Sequence, residues 1–137
     1  MKSFRLKIIL SVLFLVTVFF SCSSDDDQPI DKSTTKSAFV TEIRGPESGK
    51  VNDELSYEIF FTADNECGQF DRYSEVLIDK VKGLQVEVRY PAEACSRQVP
   101  TSRIIVFKFK STEKGTFEIK FKKSKTEFIT RTVVVSE

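Results

Sequence analysis

From about residue 38 to the end of the chain, apolar and polar residues alternate in short runs. The stretch "LSYEIFF" sets Leu55, Tyr57, Ile59 and Phe61 on one side of an extended backbone, and "LQVEVRY" does the same with Leu84, Val86, Val88 and Tyr90. "RIIVFKFK" contributes Ile105, Phe107 and Phe109, and "TFEIKF" contributes Phe117, Ile119 and Phe121. A period of two marks strands with one buried face, because successive side chains point to opposite sides of a sheet. Fainter alternation at 38–44, 69–79 and 128–135 predicts three more strands. Across 73–78 the pattern slips, with Tyr73 and Val76 of opposite parity, and a β-bulge is expected there. A turn is expected near Val81–Gly83. No part of this region carries apolar residues at helical spacing over a useful length. About seven short strands in roughly 100 residues predict an all-β fold, a single antiparallel β-sandwich.

The first residues break from this pattern. Lys2, Arg5 and Lys7 precede a thirteen-residue apolar run, Ile8 to Phe20, which ends at Ser21. A charged start, a short apolar middle and a small residue at the end are the layout of a secretory signal peptide. As a helix the apolar run would rise about 20 Å, short of a hydrocarbon core of about 30 Å, so residues 1–21 are expected to be a cleaved leader rather than a permanent span. The junction reads "FFSCSSDDD". It resembles the signal of bacterial lipoproteins, which are cut just before a cysteine that receives lipid; that resemblance implies lipidation of Cys22. The following Ser24, Asp25, Asp26 and Asp27 look like the acidic export signal of Bacteroidetes-type surface lipoproteins. By that likeness the protein would be lipid-anchored in the outer membrane and face the cell exterior, the periplasmic face being the alternative. Residues 22–37 are rich in Ser, Thr, Asp and Lys and lack apolar periodicity, so they are expected to form a disordered acidic tether. Within 38–137, "GPESGKVNDELSYEI" and "STEKGTFEIKF" resemble bacterial immunoglobulin-like modules, which implies an Ig-like sandwich.

Once Cys22 is lipidated, Cys67 and Cys95 remain, and two cysteines left in a secreted chain predict one disulfide. If the strands alternate in direction, the strand ending near Ala63 and the strand ending at Tyr90 finish at the same end of the sandwich. Both cysteines then lie in loops at that end. The first strand also begins there, so the tether is expected to join the domain beside the stapled loops. The proline-flanked stretch 91–103 is the one loop large enough to shape a pocket.

Composition bears on function mainly by exclusion. The chain contains no histidine, which removes Ser-His-Asp and Cys-His nucleophilic arrangements. "GPESGK" lacks the spacing of a phosphate-binding loop and is expected to be a turn. Asp64, Glu66 and Asp71 cluster around Cys67 in the sequence, a grouping expected to be solvated loop charge. No enzyme activity, cofactor or metal is expected. Removing Lys2, Arg5 and Lys7 from the 21 basic residues leaves 18 against 20 acidic ones, a balance that does not suggest nucleic acid as a partner. Charge is uneven, however: 38–100 holds 7 basic and 12 acidic residues, whereas 101–137 holds 9 and 4. Lys108, Lys110, Lys120 and Lys122 alternate with core positions and could together form a face for an anionic ligand, if their strands shared a sheet. The expected function is a non-catalytic, membrane-anchored surface module that binds a glycan or an envelope protein. The alternatives are an envelope inhibitor of a lytic enzyme or protease and an accessory subunit of an outer-membrane complex.

Overall fold

The computed structural model describes residues 33–93 and 95–137, so the expected leader, Cys22 and the Ser24–Asp27 stretch lie outside the described residues. The described residues form nine strands: β1 (Thr34–Ala38), β2 (Val40–Arg44), β3 (Ser48–Lys50), β4 (Glu54–Ala63), β5 (Gln69–Ile78), β6 (Val81–Tyr90), β7 (Thr101–Lys110), β8 (Gly115–Lys122) and β9 (Phe128–Ser136). They form two packed sheets. One is three-stranded in the order β2-β4-β7; the other runs β1-β6-β8-β9-β3, with β5 on the far side of β6. The all-β sandwich expected from the alternation is therefore present. Its pairings are antiparallel except β3 with β9 and a single bridge, Leu84 to Phe121, between β6 and β8.

The count exceeds seven because the first part of the chain is divided among both sheets. β1 pairs with β6, β2 crosses to pair with β4, and β3 returns to pair with β9. Thr41 is an extra residue in the β2–β4 register, so Val40 and Ile43, three apart, both point inward and are buried. The tether does not extend to residue 37 as its composition suggested. Thr34 to Ser37 belong to β1, in register from Thr34 opposite Tyr90 to Ala38 opposite Val86. A backbone ladder needs no apolar side chains, so polar "TTKS" pairs as well as an alternating run would.

The core lies between the sheets and consists of the residues whose alternation marked them. Tyr57, Ile59 and Phe61 from β4, Val86 and Val88 from β6, Phe121 from β8 and Val133 from β9 are almost fully buried. Tyr73, Phe107 and Phe121 form a cluster with ring centroids 5.3–5.6 Å apart, in edge-to-face arrangements. Such packing suits the ring quadrupoles and adds to the burial term. The buried tyrosine rings keep their hydroxyls satisfied where they can: Tyr57 donates to the Pro46 carbonyl at 3.0 Å, and the Tyr90 hydroxyl accepts from the Asp64 amide at 2.8 Å.

Two details of the β5–β6 hairpin differ from the sequence expectation. The bulge falls at Asp71, between the Phe70–Val88 and Arg72–Glu87 pairs, and no register shift occurs across 73–78. This extra residue lets Phe70 and Tyr73 share the inner face. The reversal is at Asp79 and Lys80, with φ of 48° and 68°, rather than at 81–83. Two consecutive positive φ values make a turn whose twist matches the flanking strands. Gly83 lies inside β6 instead, where a Cβ would come within 2.4 Å of the Phe128 ring.

Candidate functional site: the open side of the sandwich

The three-stranded sheet is too narrow to cover the larger one. Phe107 of β7 packs against both Phe121 of β8 and Tyr73 of β5, so β7 and β5 lie along the same side of the sandwich, each at the limit of its sheet. Beyond Tyr73, none of the described residues covers the inner face of the β5–β6 hairpin, where Glu75, Leu77 and Lys82 are exposed. Inner positions there are Glu75, opposite Leu84, and Leu77, opposite Lys82. Leu77 is 62% exposed, and Phe70, at the other end of the same face, is 37% exposed.

The hairpin thus changes polarity along its length. Near Tyr90 its inner face is apolar, with Val86, Val88 and Tyr90 buried; near the turn the inner face carries Glu75 and Lys82, while Val76, Ile78 and Val81 occupy the opposite side. Phe128 packs over that opposite side at Gly83. Burying an unpaired carboxylate and ammonium would cost several kcal/mol each in order-of-magnitude terms, so these two charges are compatible only with an uncovered face. Sequence reasoning missed this site because it took every alternating run as covered. The signal was available: in "YSEVLIDKVKGL", charges fall at the positions that share a face with Tyr73 and Leu84.

Here the two sheets enclose a notch of about 220 Å³. Leu84, Phe107, Phe109 and Ile119 supply its apolar surfaces, while Glu75 and Lys82 stand at its margin with Glu118 and Lys120. Glu118 and Lys120 pair with each other at 2.7 Å. Beside the notch, β6 and β8 share a single backbone bridge, Leu84 to Phe121, and Phe107 and Phe109 are only half-buried. Tyr73 packs against Phe107; its buried hydroxyl makes no hydrogen bond among the described residues, and burial pushes its ionisation up to about 12.

The outer face of the same hairpin carries a polar network. Ser74 donates to Glu87 at 2.6 Å, Gln85 donates to Ser74 at 3.1 Å, and Lys122 donates to Gln85 at 3.3 Å. Arg72 adds an ion pair to Glu87 at 2.7 Å. The hydrogen bond from Ser74, with Arg72 nearby, holds the Glu87 carboxyl below its ordinary range.

The four lysines considered for an anionic face do not converge. β7 and β8 belong to different sheets, so Lys108 and Lys110 face outward on one side of the sandwich and Lys120 and Lys122 on the other. Lys108 is engaged by Glu54 at 2.6 Å, and Lys122 lies over the Phe39 ring, 5.9 Å from its centroid. The hydrogen bond from Lys108 in turn holds the Glu54 carboxyl low.

At the other end, Cys67 and Cys95 are joined, with Cα atoms 5.9 Å apart. The long loop before β7 is committed to internal bonds. Gln98 donates to the Cys95 carbonyl at 3.0 Å, Ser96 to Glu66 at 3.1 Å, and Arg103 to the Glu66 carbonyl. The acidic residues near Cys67 are answered individually: Asp64 by Lys36 at 2.9 Å, Glu66 by Arg97 at 3.7 Å and Asp71 by Arg72 at 3.4 Å. Among the described residues no three such ligands gather into a metal-binding group. Lys36 of β1 reaches this end, and Thr34, Lys36, Asn65 and Gln98 line a shallow polar cleft beside the disulfide. The chain therefore joins the sandwich where the two cysteines meet, as strand parity predicted, while the notch lies toward the β5–β6 turn. No protein-family model, no curated protein and no solved structure matches the chain.

Proposed function

We propose that this protein is a non-catalytic binding module, anchored to the outer membrane by lipid on Cys22 and displayed toward the cell exterior on an acidic tether containing Ser24 and Asp25–Asp27. The observation that carries the reading is the separation of attachment from open surface. Residue 33 and β1 lie beside the disulfide, whereas the uncovered hairpin face and its notch extend toward the opposite end. A module held at one end and open toward the other can engage a glycan or an envelope protein without competing with its own anchor. The complete lack of histidine supports a role in binding rather than acid–base chemistry.

Lipid chains stabilise membrane attachment by about 0.8 kcal/mol per buried methylene, so several chains on one cysteine give lasting anchorage. Cys22→Ala is expected to abolish metabolic palmitate labelling and to shift the protein from the membrane to the soluble fraction. Undiminished labelling would overturn lipidation at this residue. Replacing Asp25–Asp27 with alanine is expected to protect the protein from protease added to intact cells; unchanged cleavage would remove the export role while leaving the anchor in place.

A further inference from the structure

Resting on the reading of the protein as a lipid-anchored module, we propose that the domain itself touches the membrane, setting Phe39 and the lysine-rich β8–β9 turn against anionic lipid headgroups. Phe39 is the crossover residue between β1 and β2. Its carbonyl accepts from the Thr62 amide at 3.3 Å, one residue before the end of β4, which places it in the half of the sandwich where the chain joins. Its ring is 39% exposed, although Ala38 and Val40 on either side are buried.

Lys122 lies over this ring and brings the turn beside it. The Glu127 carbonyl closes the turn by accepting from the Lys123 amide at 2.9 Å and the Ser124 amide at 3.2 Å. Lys123 and Lys125 are exposed, and neither has an ion pair among the described residues. Residues 122–127 therefore set three lysines against one carboxylate, that of Glu127, next to an exposed aromatic ring. None of these residues lines the notch.

A layer of phosphates over an apolar interior answers both features at once. Aromatic rings settle at headgroup level, and lysines are drawn to anionic headgroups within a screening length of about 10 Å at 0.1 M salt. The aspartates of the tether are repelled by such a surface, so the attraction rests on the turn. So small a patch would hold a freely diffusing protein weakly. Anchoring removes that difficulty, because a short flexible link keeps the second surface at an effective concentration on the order of millimolar. Chain length permits the contact. The ten residues between Cys22 and Ser33 reach up to about 35 Å when extended, and Phe39 lies only about 17 Å along the chain from Thr34.

The chain contains no tryptophan, so Phe39→Trp places a single indole reporter at an exposed position. The lipidated chain carrying it is reconstituted into vesicles of brominated phosphatidylcholine, with or without brominated phosphatidylglycerol. Indole emission is expected to be quenched at least twofold more strongly when phosphatidylglycerol is present. Added salt should relieve that difference, and combining Lys123→Glu with Lys125→Glu should abolish it. Unquenched emission from chains that float with the vesicles, equal quenching by the two compositions, or undiminished quenching of the double-charge variant would overturn the proposal. Flotation reports the anchor separately. A chain that does not float removes the anchored reading and this contact together, whereas floating without quenching removes the contact alone.

Discussion

Tyr73 concentrates two roles in one side chain. Its ring joins Phe107 and Phe121 in the core, and its hydroxyl is buried without a hydrogen bond among the described residues. An unmet buried hydroxyl opposes folding by about 1–3 kcal/mol in typical cases, so Tyr73→Phe is expected to be neutral or stabilising at neutral pH. Alkaline pH supplies a sharper measurement. Burial raises the folded ionisation of Tyr73 from 10.0 to about 12. Because the unfolded chain releases this proton first, the contribution to stability is intact below pH 10 and is lost as pH rises from 10 through about 12. Burial also raises Tyr57, so part of the alkaline loss remains when Tyr73 is replaced. Urea unfolding of the two proteins across this range should show a shallower decline for Tyr73→Phe; parallel declines would mean that Tyr73 ionises as easily folded as unfolded.

Strands reveal how far alternation can be trusted. β4, β6, β7 and β8 were legible because each sets apolar side chains against a facing sheet. β1 and β3 were not, since their stability comes from ladder pairing rather than from side-chain burial. The bulge was placed too late in β5 because a polarity change and a register change look alike in sequence. Tyr73 and Val76 differ in parity because Val76 faces the other way, toward the side covered by Phe128, and Gly83 makes room for that ring. The disulfide was legible from cysteine count and strand direction together. It joins the β4–β5 and β6–β7 connections across a separation of 28 residues. In the chain-entropy description a closed loop of this size contributes about 3–4 kcal/mol. Replacing both cysteines with serine is expected to lower unfolding free energy by about that amount in urea titrations, and an unchanged midpoint would exclude the contribution.

At the scale of the whole molecule, the decisive quantity is the mismatch between a three-stranded and a six-stranded sheet. It creates the open side, while the placement of β7 and β8 in different sheets separates the basic C-terminal residues into two unrelated groups. Neither property can be read from one strand at a time. Sequence parity specifies which side chains share a face, but not whether another sheet reaches far enough to cover it. The candidate site was therefore largely illegible, apart from the charged inner positions Glu75 and Lys82.

The attachment of β1 has a mechanical consequence. Its five residue pairs with β6 run antiparallel, beginning with Thr34 opposite Tyr90 at the end where the chain joins the sandwich. Tension applied at residue 33 acts along the axis of β1, across hydrogen bonds that lie perpendicular to it. The ladder is loaded in shear, with all its bonds resisting together, rather than opened one pair at a time. Pulled between residues 33 and 137 in a single-molecule experiment, the domain is expected to yield in one high-force rupture; gradual peeling at low force would contradict this. Under the proposed anchoring, a pull by a bound partner against the membrane would pass through β1, the strand arranged to bear it.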